Sequence, residues 1–166
     1  SDDYGILKLD ELHSDLRPSE LAEDETSTDA VLEWLLKDVE DFDTIVLLQP
    51  TSPVRTGKQI DEAIEMFHRG GYDTLLSVVK IHAFQWDISN GQRNYDIWQR
   101  PRRQELDNWV EENGSIYIFS MEWWKANKNR LGGEIGFYVM PEESRIQIDT
   151  PLDLYLVGKI LERQHA

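Results

Sequence analysis

The stretch Gln49-Pro-Thr-Ser-Pro-Val-Arg55 sets an amide, two hydroxyls and a guanidinium among two rigid prolines. Gln49 can offer a paired donor and acceptor to a base or a ribose. Arg55 can pair with a phosphate or with a neighbouring carboxylate, although an ordinary proline-stiffened loop has the same composition. The densest basic patch is Arg100-Pro-Arg-Arg-Gln104. Its arginines can hold a carboxylate or phosphate, and a solvated loop or an inter-subunit salt-bridge arm would look the same. Asn113-Gly-Ser-Ile-Tyr117 brings an amide and a phenol to a turn leading into a strand, a pattern also found in plain hairpins. Asp149 precedes a capped helix, where a carboxylate can hold a metal ion or serve only the helix N-terminus. His13, His68, His82 and His165 show no HxH or HxxxH spacing, which speaks against a histidine metal site.

These groups need a scaffold, and periodicity supplies one. Val31, Leu32, Leu35, Leu36 and Val39 share a helical face, which predicts a helix over Thr28–Glu40. Thr44–Leu48 (TIVLL) is a continuous apolar run that reads as a central strand buried on both faces. The polar loop follows it, then a helix marked by Ile60, Ala63, Ile64 and Phe67 that stops at Gly70-Gly71. Thr74–Val79, Ser115–Phe119 and Ile135–Met140 read as further strands. Thr150 caps a last helix with Pro151 at its first position and Asp153 in its first turn. Leu152, Tyr155, Leu156, Val157, Ile160 and Leu161 are its expected buried face. Alternation of helix and strand predicts an α/β fold with a mostly parallel sheet and flanking helices. In such sheets, ligands bind beyond the carboxyl ends of the strands, where the Gln49 loop falls.

At 166 residues the chain suits a single domain, 1–166, with no repeat, low-complexity segment or linker. Residues 87–110 fit no core periodicity, and their Tyr95, Trp98 and Trp109, with Trp86 just before them, suggest an arm that reaches into a second copy. The formal charge of −15 argues against nucleic acid as a partner, since phosphates would be repelled. Residues 1–43 carry most of it, with 15 acidic and three basic side chains on what reads as a solvated face. The absence of cysteine excludes disulfides, thiolate catalysis and Cys-ligated zinc. Apolar runs stay far below the roughly 20 residues of a membrane helix, and a cytoplasmic protein without membrane contact is the expectation.

Taken together, LLQPTSPVRTG (Leu47–Gly57), RPRRQ (Arg100–Gln104), ENGSIYIF (Glu112–Phe119) and IQIDTPLDL (Ile146–Leu154) resemble the N-acylneuraminate cytidylyltransferases, or CMP-sialic acid synthetases, in order and approximate spacing. RPSELAEDETS (Arg17–Ser27) and HAFQW (His82–Trp86) add to the likeness, which spans nearly the whole chain and leans towards the animal-type branch. The resemblance implies a Rossmann-like nucleotidyltransferase sheet and a homodimer. It also implies transfer of CMP from CTP to an acidic nine-carbon sugar, with pyrophosphate released and Mg²⁺ required.

By the same resemblance, Gln49 and Ser27 or Thr28 match nucleotide-binding positions, and Arg103 and Gln104 match the pair near the acidic sugar. Asn113 and Tyr117 match sugar-site positions, and Asp149 matches the second aspartate of a metal-binding pair; Arg103 and Asp149 are the expected catalytic residues. Two departures stand out. Gln147 occupies the place of the first aspartate, and nothing resembling the family's phosphate-cradling first βα unit precedes Asp10. The expectation for this exact chain is therefore little CMP transfer. A non-catalytic sugar-acid-binding or dimerisation module, and a cytidylyltransferase for a legionaminic- or KDO-type acid, are the alternatives.

Overall fold

The computed structural model describes residues 1–8, 15–106 and 109–164, so His13, His165 and residues 107–108 of the expected arm lie outside the described residues. The longest run of buried positions outside the bulge below lies in β2 (Thr74–Lys80), whose first six residues are all buried. It sits between β3 (Val110–Ser120) and β4 (Ile135–Val139), while β1 (Thr44–Leu48) pairs with the other side of β3, giving the order β1-β3-β2-β4. The pairing of β2 with β4 is parallel, and β3 runs antiparallel to both β1 and β2.

The α/β class therefore holds, with β1, β2 and β4 sharing one direction. Two expectations need correction. Two of the three pairings are antiparallel, because β3 is inserted reversed between β1 and β2. An apolar run reveals burial and carries no information on strand direction. Among the described residues β1 is also a terminal strand, half-buried at all five positions, and β2 takes the central place expected of β1.

The helices form for local reasons. A single turn, α1 (Tyr4–Leu7), is capped by Asp3. α2 (Thr28–Leu36) is capped by Ser27 and ends four residues before the expected Glu40. α3 (Gly57–Gly70) opens with a reciprocal Thr56–Gln59 capping box and ends on Gly71 at φ 64°, a left-handed turn that glycine takes without strain. Ala63 and Phe67 of α3 close one sheet face over Leu75, Val79, Ile116, Ile118 and Met140. On the other face, α2 and α4 (Met121–Asn127) enclose Phe119 with Leu32, Leu36 and Trp124.

α5 (Pro151–Gln164) begins as expected, with Thr150 Oγ1 accepting from Asp153 N at 3.3 Å. Its expected buried face is not buried: only Val157 is, while Leu152, Tyr155 and Leu156 are exposed. Helical spacing identifies residues that share a face, not whether another element covers it.

Residues 83–106 form a loop closed by a Trp86–Arg93 bridge. Asn94 anchors it from within, accepting from Gln85 N at 2.9 Å and donating to Ala83 O at 2.9 Å. Trp86 donates its indole N–H to the Tyr95 hydroxyl at 3.1 Å, and the Arg93 guanidinium stacks over the Trp86 ring. Trp98 is 88% exposed, and Ile88, Ile97 and Trp109 are exposed too.

Candidate functional site

The site is built around a break in the central ladder. Leu76 pairs with Tyr117 but Val78 pairs with Glu112, so residues 113–116 bulge out opposite Ser77. Gly114 makes the bulge possible at φ 66°, a region that side chains with a Cβ rarely enter. Backbone groups displaced by the bulge find side-chain partners. Ile116 N donates to Ser77 Oγ at 2.7 Å, and Ser77 Oγ donates to Asn113 Oδ1 at 2.6 Å. Asn113 Oδ1 also accepts from Ser115 N at 3.3 Å, while its Nδ2 donates to Ser144 Oγ at 2.9 Å. Asn113 is 0% exposed with both amide atoms engaged, so its own contribution is to hold the bulge in shape.

The loop after β1 docks onto this bulge. Ser115 Oγ donates to Ser52 O at 3.3 Å, and Ile148 N donates to Thr51 O at 2.8 Å, which ties in the segment before α5. Arg55 folds back to donate to Gln49 O at 3.0 Å and Ser52 O at 2.5 Å. Burial draws its guanidinium below the ordinary arginine value. Arg55 thus clamps the loop and is not extended towards a phosphate. Three neutral groups surround the Gly114 Cα: a Cβ there would lie 2.7 Å from Gln147 Oε1, 2.9 Å from Gln49 Oε1 and 3.0 Å from Ser52 Oγ. Loop, bulge and pre-helix segment therefore meet at one point.

The other expected residues are distributed around this centre. Tyr117 is 4% exposed on the opposite sheet face, where it donates to Glu112 Oε2 at 3.0 Å. Burial foremost, reinforced by the Glu112 carboxylate, pushes its phenol up to about 12. Arg130 lies over the Tyr117 ring and donates to Asp29 Oδ1 at 2.8 Å, linking β3 to the first turn of α2. Ser27 Oγ accepts from Ala30 N at 3.2 Å as the α2 cap, with Thr28 next to it. The Glu112–Tyr117–Arg130–Asp29 chain escaped the sequence reading, because a link spanning 101 residues between Arg130 and Asp29 leaves no local pattern.

Within the basic patch the three arginines separate. Arg100 stacks over the Phe84 and Tyr95 rings at 4.3 and 5.6 Å, and Arg102 pairs with Glu105 at 2.8 Å. Arg103, in a single 3₁₀ turn with Gln104, is exposed and has no ion pair among the described residues. Among the described residues, no hydrogen bond or ring contact joins Arg103 or Gln104 to Asn113 or Tyr117.

Asp149 is exposed, and its carboxylate has no hydrogen-bond partner among the described residues. The neighbouring Asp153 carboxylate is occupied, accepting from Thr150 N at 2.8 Å and Thr150 Oγ1 at 2.7 Å. Those bonds, the hydroxyl's first, hold Asp153 below the usual carboxylate range. No group of three or more His, Asp or Glu side chains gathers at a metal-sized spacing among the described residues. Mg²⁺ commonly takes one or two protein carboxylates and completes its shell with water and substrate phosphate. A single free carboxylate at Asp149 fits that manner of binding.

Sequence comparison bears on this arrangement directly. No family model matches the chain. N-acylneuraminate cytidylyltransferase B of Danio rerio is 32% identical over 144 residues, covering 82% of the chain. The chain is a homologue of the N-acylneuraminate cytidylyltransferases. The Escherichia coli O18:K1:H7 enzyme of the same name is 27% identical over 167 residues, covering 90% of the chain, so the relationship reaches both vertebrates and bacteria. The chain spans only about a third of each relative, 34% and 37% of their lengths. In three dimensions it is similar to a 4-diphosphocytidyl-2C-methyl-D-erythritol synthase from Anaerococcus prevotii, with a TM-score of 0.60 and 11% identity over 83% of the chain and 68% of that protein. That likeness establishes the nucleotidyltransferase-type fold. No helix among the described residues is long and apolar enough to cross a membrane.

Proposed function

We propose that this chain contributes the acceptor side of a cytidylyltransferase site that activates an acidic nonulosonic sugar of the sialic acid type with CTP. In the reaction, the anomeric hydroxyl oxygen of the sugar attacks the α-phosphorus of CTP. The α–β phosphoanhydride bond breaks, pyrophosphate leaves, and the hydroxyl proton is released. Catalysis of such transfers rests on positioning and charge neutralisation. The observation that carries the reading is the meeting of Gln49, Ser52 and Gln147 on the Gly114 bulge with Asp149 two residues along, in a homologue of cytidylyltransferases.

In this reading Gln49, with Ser27 and Thr28, serves the nucleotide. Arg103, exposed and without an ion pair among the described residues, pairs with the sugar carboxylate beside Gln104, and Tyr117, buried on the other sheet face, acts on the sugar site only through its bond to Glu112. Asn113 acts through the bulge that it holds. Asp149 would hold Mg²⁺, which would neutralise phosphate charge. The protein works in the cytoplasm as a homodimer, with the exposed Trp98 and Ile88 of the arm covered by the second copy. A dimeric mass by light scattering supports that assembly, and a monomer at micromolar concentration refutes it.

A second reading, a sugar-acid-binding module without chemistry, is favoured by Asp149 having no neighbouring carboxylate to share a metal among the described residues and by Arg55 being spent on backbone carbonyls. Ligand-observed NMR on the chain separates the two. The enzyme reading expects CMP and N-acetylneuraminate both to bind, and the module reading expects only the sugar acid. Binding of neither overturns both. Repeating the titration with a legionaminic- or KDO-type acid ranks the sugars.

A further inference from the structure

Asparagine is followed by glycine at two positions, Asn90-Gly91 and Asn113-Gly114. In such a pair the glycine's backbone nitrogen can attack the side-chain carbonyl carbon of the asparagine, because no Cβ obstructs the approach. The new C–N bond closes a succinimide ring, the bond to the side-chain nitrogen breaks, and ammonia leaves. Water then opens the ring at either carbonyl and gives aspartate or isoaspartate. The attacking nitrogen must lose its proton, and negative charge gathers on Oδ1 as the new bond forms. Both charges need water or well-placed donors around them.

The two pairs meet opposite surroundings. Asn113 is 0% exposed, with Oδ1 accepting from Ser77 Oγ and Ser115 N and Nδ2 donating to Ser144 Oγ. Turning that amide towards Gly114 N would break bonds that no water is present to replace. Asn90 is exposed in the turn of the 83–106 loop, and a Cβ at Gly91 would meet nothing within 4 Å. Gln92 N donates to Asn90 Oδ1 at 2.8 Å, which sets a donor on the oxygen where charge gathers. The bond that opposes attack, Gly91 N to Asp87 O at 2.8 Å, lies in an exposed turn where water can take its place. We propose that Asn90 is a site of spontaneous deamidation in the folded protein, and that the bulge protects Asn113 from the same reaction. Conversion sets a new carboxylate next to that of Asp87, which already interacts with Asn90. In the isoaspartyl form it also lengthens the backbone within the turn that closes the Trp86–Arg93 bridge. This inference does not depend on the cytidylyltransferase reading.

The test is incubation of the whole chain in H₂¹⁸O at mildly alkaline pH, folded and in urea, with each asparagine followed by peptide mass mapping. Uptake of ¹⁸O marks ring opening by water. Asn90 should convert in the folded chain within about 10-fold of its rate in urea, the effect of one exposed hydrogen bond. Asn113 should convert more than about 100-fold more slowly folded than in urea, since it reacts only when the bulge opens. Gly91→Ala, whose methyl group hinders the attacking nitrogen, should slow Asn90 both in the folded chain and in urea. Undiminished conversion in that variant would mean direct hydrolysis and overturn the mechanism. Conversion of Asn113 in the folded chain as fast as in urea overturns the proposal. So does protection of Asn90 as strong as that of Asn113, whether by its own turn or by a second copy.

Discussion

The Gly114 bulge and the arm at residues 83–106 both carry motif residues, but they are held in opposite ways. At the bulge, positioning is internal: Asn113, Ser77 and Ser144 are buried and bonded to one another, and two further segments are tied to the same point. In the arm, positioning is local and superficial: Arg100 rests on two rings, Arg102 pairs with Glu105 three residues on, and Arg103 is left exposed. A preformed site pre-empts the entropy of ordering its side chains, so the bulge is suited to geometric recognition. The arm offers charge and apolar surface on the exterior.

The contrast can be broken most forcefully at Asn113. Asn113→Leu leaves Ser77 and Ser144 without their buried amide partner and should cost about 2–4 kcal/mol in urea-unfolding free energy. Arg103→Ala should leave the melting curve nearly unchanged yet weaken sugar-acid affinity about 10- to 100-fold, the loss of a charge-assisted pair. CMP affinity should change far less. An unchanged sugar affinity in protein that is still dimeric would make Arg103 a purely structural part of the arm.

In the proposed homodimer, Trp98→Ala should raise the dissociation constant about 10-fold without destabilising the subunit, because an 88% exposed ring contributes little to its own fold. Sedimentation at several concentrations measures this.

The smallest effect is expected from pH. Because the Tyr117 phenol is raised to about 12 in the fold against an ordinary value of 10.0, the folded state retains a proton that the unfolded chain loses. The stabilising difference is complete below pH 10 and declines as pH rises towards 12. Unfolding free energy should fall by about 1 kcal/mol between pH 9 and pH 11, and less in Tyr117→Phe.

The sequence disclosed what local chemistry decides. The Gly71 stop, the Thr150–Asp153 start of α5 and the strand positions all follow from residue type and spacing. Strand direction was not legible, since TIVLL reads identically whichever neighbour it pairs with, and so β3 between β1 and β2 came as a correction. The exposed face of α5 was misjudged for a related reason: periodicity describes one partner of a contact only. At the site, resemblance pointed to Gln49 and Asn113, but their different parts depend on burial. One meets the bulge from the loop after β1, and the other is locked within it. The convergence of Ser52 and Gln147 was not legible, because it requires the left-handed turn at Gly114 and a hydrogen bond between Ile148 and Thr51.

The most direct test of the account is nucleotide transfer by the protein as its gene encodes it, supplied with CTP, N-acetylneuraminate and Mg²⁺, with product identified by mass and pyrophosphate counted. The account predicts a CMP-sugar and one pyrophosphate for each, formed only when both CTP and the sugar acid are present. Absence of product, or pyrophosphate release that proceeds without the sugar acid, would contradict it.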